Sequence, residues 1–145
     1  MLSIIEKVMM LQSVNMFAGT DDEVLAGVAS ILREVQAQEG DEVVTKGDLG
    51  SNMYVIVSGS VRVHDGQQVF AKLGEGNVFG ELAALDPEPR SASVTADEDT
   101  LLLSLDNGPL LDLISDHPEI AEATIRFLCR RVRSALPNRP ETVTH

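Results

Sequence analysis

Apolar positions along the chain change period twice. Val24, Leu25, Val28, Ile31 and Leu32 recur at helical spacing, which predicts an amphipathic helix with one buried stripe ending near Arg33. Thr20-Asp21-Asp22-Glu23, just ahead of it, has the spacing of a capping box, in which hydroxyl and carboxylate satisfy free amides at a helix start. Upstream, Ile4, Ile5, Val8, Met9 and Leu11 predict a shorter helix packed beside it, with the methionines as core filler. From Val35 to Leu105 the texture changes to short β-branched runs cut by glycine turns. VQAQE, EVVTK, MYVIVS, SVRVH, QQVFAK, SASVTA and TLLLSL read as strands. His64-Asp65-Gly66-Gln67 predicts a tight two-residue hairpin on its Asp-Gly pair, and Gly40-Asp41, Gly47-Asp48, Gly59 and Gly74-Glu75-Gly76 punctuate the rest. Helical spacing then returns. Pro109 and Pro118 each suit a first helical turn, where the missing amide hydrogen costs nothing. In the second of these helices Ala121, Ile125, Leu128, Val132 and Ala135 make one apolar stripe, with Arg126, Arg130 and Arg133 on a polar face and Glu122 four residues before Arg126.

Many short antiparallel strands in one stretch imply a closed sheet, because open edges invite aggregation. The expected fold is therefore mainly β with flanking helices: an eight-stranded antiparallel β-roll of the double-stranded β-helix or jelly-roll kind, with N-terminal helices before it and two C-terminal helices after it. The expected division is a helical segment 1–34, a roll 35–106, helices 107–136 and a tail 137–145, all in one domain.

Composition narrows the function. The chain has 145 residues, 43% hydrophobic and 23% charged, which suits a single globular domain with a real core. Its formal net charge of -12 repels phosphate backbones and anionic lipid, so neither nucleic acid nor direct membrane insertion is expected. The opening MLSIIEKVMML is too short to span a bilayer, is broken by Glu6 and Lys7 and lacks a cleavage site. Cys129 is the single cysteine, which excludes an intrachain disulfide and makes the cytoplasm the expected compartment. His64, His117 and His145 are scattered without metal-ligand spacing, and no nucleophile is spaced with a base, so an enzyme is not expected.

The charge is uneven. Residues 1–117 carry 20 acidic and 6 basic side chains, residues 118–145 carry 3 and 5, and between Leu73 and Ile125 the one basic residue is Arg90. One reading of Arg90 is a surface ion pair with Asp86 or Glu88. Its neighbourhood offers another. Glu81 to Leu85, within FGELAALDPEPRSASVTA (79–96), has helix-forming composition where a strand is due, so a single helical turn interrupts the roll. Gly80 lets the backbone approach a ligand, and the first amides of such a turn have no internal partner. Those amides favour a phosphate, Arg90 supplies the counter-charge, and Glu81 can accept a hydrogen bond from a sugar hydroxyl beside it.

Phe79-Gly80-Glu81-Leu82-Ala83 followed, after Ala84 to Pro89, by Arg90-Ser91-Ala92-Ser93-Val94 resembles the phosphate-binding cassette of cyclic-nucleotide-binding domains, spacing included. Gly47-Asp48, Met53-Tyr54-Val55-Ile56, Ser58-Gly59-Ser60-Val61 and Gly76-Asn77-Val78-Phe79 carry the likeness upstream, so it covers about Met16 to Arg133. Relatives of that kind include protein kinase A regulatory subunits, catabolite-activator-like regulators and cyclic-nucleotide-gated channels. The resemblance implies that Gly80, Leu82, Ala83, Arg90, Ser91 and Ala92 bind the cyclic phosphate and that Glu81 binds the ribose 2'-hydroxyl. Ser91 bears on base choice, and the reading favours cAMP over cGMP as ligand, with no other cofactor. Further positions have two readings each. Met53 and Val69 line a base pocket or belong to the barrel core. Phe127 stacks on the base or is core, and Arg130 and Arg131 cap the purine as a lid or form a solvated basic face.

The function this implies is a non-enzymatic regulatory module that converts cyclic-nucleotide binding into movement of its helices. It acts as a stand-alone sensor or with an effector domain of a larger protein, with a homodimer through the terminal helices as a further expectation. The alternative is a ligand-free interaction module that keeps the fold. A β-roll enzyme acting on a small phosphorylated metabolite ranks last for want of a catalytic group.

Overall fold

The computed structural model describes residues 1–136; the tail expected at 137–145 lies outside the described residues. Two helices open the chain, α1 (Ile4–Gln12) and α2 (Asp22–Ile31), joined through a 3-10 turn at Asn15–Phe17. Ten strands follow: β1 (Arg33–Ala37), β2 (Glu42–Val44), β3 (Leu49–Gly50), β4 (Asn52–Ser58), β5 (Val61–Asp65), β6 (Gln68–Leu73), β7 (Val78–Phe79), β8 (Glu88–Pro89), β9 (Ser93–Ala96) and β10 (Thr100–Asp106). The short helix α3 (Glu81–Leu85) sits between β7 and β8, and α4 (Asn107–Asp116) and α5 (Pro118–Ala135) close the described chain. The seven apolar runs correspond to β1, β2, β4, β5, β6, β9 and β10. The three further strands, β3, β7 and β8, have two residues each, too few to show any period.

The strands form two four-stranded antiparallel sheets, ordered β1-β10-β4-β7 and β2-β9-β5-β6, and a small β3-β8 ladder. Val44, Val61 and Val94 from one sheet pack with Ile56, Phe79 and Leu102 from the other and fill the roll. Met53, Val55, Leu103 and Leu105, on the opposite face of the β4-β10 pair, pack against Phe17, Leu25, Leu110, Ile120 and Phe127 of the helical layer. β10 is apolar without alternation because it is buried on both faces. The register pairs Leu102 with Ile56 and Leu103 with Val55, which keeps each set on its own side.

Three local expectations are corrected. The capping box at Thr20 does not form: Asp21 is the N-cap, without a side-chain bond, and the Thr20 Oγ1 is buried and unpartnered. A capping box forms instead at Ser3, whose hydroxyl accepts from the Glu6 amide while the Glu6 carboxylate accepts from the Ser3 amide, each at 3.1 Å. In the hairpin, Asp65 pairs with Gln68, so the two loop residues are Gly66 and Gln67, one position later than the Asp-Gly pair. The third correction is in α5. Its buried residues are Ile120, Ala123, Thr124 and Phe127, whereas Ile125 and Val132 of the expected stripe are 60% and 61% exposed. Packing selected a face about one residue round the helix from the strongest apolar stripe.

Candidate functional site

The site grows from the end of β4 that meets β7. Tyr54 pairs with Phe79, and their rings stack at 5.0 Å between centroids, which anchors the residue after Phe79. That residue, Gly80, is the N-cap of α3 and has φ 82°, a left-handed conformation that side chains resist. A β-carbon there would also lie 2.8 Å from both the Arg90 Nη1 and the Asn52 carbonyl oxygen. The first backbone bond of the turn runs from the Ala84 amide to the Gly80 carbonyl at 3.1 Å, so the amides of Glu81, Leu82 and Ala83 precede it.

Arg90 comes from the far side of the loop. β8 pairs with β3, the Arg90 amide donates to the Asp48 carbonyl at 2.8 Å and the Gly47 amide donates to the Arg90 carbonyl at 2.9 Å. The Gly47-Asp48 turn thus fixes the backbone of the arginine. Its guanidinium is held by neutral oxygens: Nη2 donates to the Asn52 carbonyl at 2.8 Å and to the Asn52 Oδ1 at 3.0 Å. Asp86 and Glu88 do not pair with it, nor does Glu81; among the described residues the ion pairs lie elsewhere.

Glu81 pairs with α5. Its Oε1 accepts from the Arg131 Nη1 of α5 at 2.6 Å, while its Oε2 is buried without a partner. An ionised carboxylate oxygen in that position is costly unless a donor reaches it. Arg131 also lies over the Phe127 ring, 5.8 Å from its centroid. Asn107, the first residue of α4, donates from its side chain to the Ala84 carbonyl at 2.7 Å, tying the end of α3 to the start of the C-terminal helices.

A cavity of about 290 Å³ is lined by Gly80, Glu81, Leu82, Ala83, Arg90 and Ser91, and also by Val63, Glu88 and Arg131. A smaller hollow of about 140 Å³ shares Gly80, Arg90 and Ser91 and adds Ala92. Beyond the Glu81–Arg131 pair a third, of about 340 Å³, is bounded by Phe127, Asn77 and the turn at Asn15 and Met16. The two basic neighbours on α5 therefore part company: Arg131 reaches the cavity wall, and Arg130 is exposed without reaching it. Met53 is 1% exposed within the helix-facing core, and Val69 is 45% exposed on β6; neither lines these cavities. Asn52, Gly50 and Val63 at the site were missed by the sequence reading. Only Asn52 carried a signal, a polar residue opening an apolar strand. Among the described residues no group of three His, Cys, Asp or Glu side chains is placed to hold a metal.

Residues 34–117 match the family model described as cyclic nucleotide-binding domain. The chain is 34% identical over 122 residues to the CRP-like cAMP-activated global transcriptional regulator of Mycobacterium tuberculosis, covering 81% of this chain and 54% of that protein. It is 42% identical over 102 residues to the cyclic AMP receptor protein of Thermus thermophilus, covering 67% and 47% respectively. The N-terminal domain of a transcriptional regulator from Streptomyces coelicolor superposes with a TM-score of 0.80 at 32% identity, over 91% of this chain and 98% of that one. The chain spans about half the length of the curated relatives it matches.

Proposed function

The chain belongs to the cyclic nucleotide-binding domain family, and from that premise we propose that it is a non-enzymatic regulatory module that binds a cyclic nucleotide, cAMP in preference to cGMP. One observation carries the reading. A single cavity is lined by an arginine that has no carboxylate partner among the described residues and by a glutamate one of whose oxygens is buried without a donor. A cyclic phosphate with a free hydroxyl beside it answers both at once: the phosphate takes Arg90 and the turn amides, and the 2'-hydroxyl donates to Glu81. The preference for cAMP rests on the names of the relatives, several of which are described as cAMP-responsive.

Binding is transmitted through two contacts already made. Asn107 joins the cassette helix to α4, and Arg131 joins Glu81 to α5. A ligand that tightens the turn or competes for Glu81 biases the position of both helices, which is the form a ligand-driven population shift takes here. The reader of that movement is an effector domain of a larger protein, or a second copy meeting the exposed stripe of α5. The site of action is the cytoplasm; among the described residues no helix is long and apolar enough to cross a membrane.

Isothermal titration with cAMP, cGMP and 5'-AMP tests the proposal. Saturable heat from cAMP, weaker heat from cGMP and little from 5'-AMP are expected. Silence from both cyclic nucleotides would overturn it in favour of a ligand-free interaction module.

A further inference from the structure

Arg90 lies in a slot built by residues outside the cassette. A β-carbon on Gly50 would overlap the Nε, Cζ and Cδ atoms of Arg90, so the side chain runs directly across bare backbone on β3. At the other end Gly80 leaves room for Nη1. Between them Asn52 accepts Nη2 twice, through its carbonyl and its Oδ1. The orientation of that amide is itself determined. Its Nδ2 donates to the Tyr54 hydroxyl at 2.9 Å and to the Ser104 hydroxyl at 3.0 Å, and Ser104 is 1% exposed. Turning the amide over would set an NH2 group against a guanidinium, which has no lone pair to accept it.

We propose that Gly50 and Asn52 are positioning residues that hold the Arg90 guanidinium at the cavity through neutral acceptors only, so that its full charge is kept for the ligand. The four closest arginine ion pairs of the described chain use aspartate or glutamate, at Asp106, Asp97, Glu122 and Glu81. A carboxylate at position 52 would orient Arg90 equally well and cancel the charge on which anion binding depends. An amide orients without cancelling. Gly50 acts through shape. It does not have the left-handed backbone that only glycine tolerates, and the atoms nearest to a methyl there are those of the Arg90 side chain.

The ligand in this inference rests on the cyclic-nucleotide reading, whereas the slot rests on the geometry, and two measurements keep them apart. In the first, Gly50→Ala, Asn52→Ala and Asn52→Asp are titrated with cAMP beside Arg90→Leu. Each is expected to lose about ten-fold or more in affinity, the scale of one charge-assisted hydrogen bond, with little change in unfolding midpoint for Gly50→Ala and Asn52→Asp. The losses in Gly50→Ala and Asn52→Ala should vanish when each change is made on top of Arg90→Leu, because a misplaced arginine and a missing one are then equivalent. In the second, the Arg90 Nε resonance of the unliganded protein is followed by NMR. Its shift should move in Gly50→Ala and Asn52→Ala. Wild-type affinity in both Gly50→Ala and Asn52→Asp, or an Arg90 resonance unmoved in either alanine variant, would overturn the slot. If the wild type takes up no cyclic nucleotide while the resonance moves as expected, the ligand reading falls and the slot stands.

Discussion

At Arg90 what already touches the side chain supports a ligand group over a surface ion pair. Among the described residues the guanidinium has two hydrogen bonds to neutral oxygens and no carboxylate partner, which leaves its charge available at the cavity. Replacing it in Arg90→Leu removes a charge-assisted contact worth roughly 1.5–3 kcal/mol, and cAMP affinity measured by titration calorimetry should fall at least ten-fold. Glu81→Gln is expected to cost less, because the hydroxyl retains an acceptor and Arg131 loses an ion pair that is half solvated. Gly80, Glu81 and Arg90 were legible in the sequence because a glycine, a short helical turn and a lone cation lie within 11 consecutive residues. Asn52 and Gly50 were not. They lie 38 and 40 positions before Arg90, and no local spacing joins them to it.

Elements show the same division more sharply. The periodicity of α2 placed the helix, but Thr20 did not cap it, and the box formed at Ser3 and Glu6 on α1 instead. There the Ser3 amide and hydroxyl hold the Glu6 carboxyl below its ordinary value. A depressed carboxyl contributes stability above its unfolded value and loses it as the pH falls through the folded one. Ser3→Ala should therefore return the Glu6 titration upward, as followed by NMR, and fray the first turn of α1. α5 presents two apolar faces. Ile120 is fully buried on one, so Ile120→Ala should destabilise the fold by about 2–5 kcal/mol in chemical denaturation. Ile125 and Val132 lie on the other, on a stripe at alternating four- and three-residue spacing that suits a two-helix seam. If a second copy covers that seam, Ile125→Glu should lower the unfolding free energy only by what dimer formation contributes at the working concentration. It should also reduce the mass seen by sedimentation from dimer to monomer. A wild type that sediments as a monomer at all concentrations would remove this expectation.

For the whole molecule, charge acts at two ranges. The net charge of -12 repels an anionic ligand over distances that salt screens, with a Debye length of about 10 Å at 0.1 M. The half-buried Arg90 acts at contact and is screened less. Cyclic-nucleotide affinity should therefore hold or rise as salt is added, measured by titration from low to moderate ionic strength. A steep fall would mean that the local attraction is the exposed, screened component. The roll with its flanking helices, the interrupting turn and the residues of the proposed cassette were determined by the sequence alone. Each is written in contiguous residues, as a period, a glycine or a charge. Tertiary structure decided which stripe of α5 faces the core, and which of the adjacent Arg130 and Arg131 reaches Glu81. It also decided which neutral oxygens hold Arg90. Those outcomes depend on strand register and on packing between segments distant in the chain, and a local pattern of polarity does not contain the choice between two apolar faces.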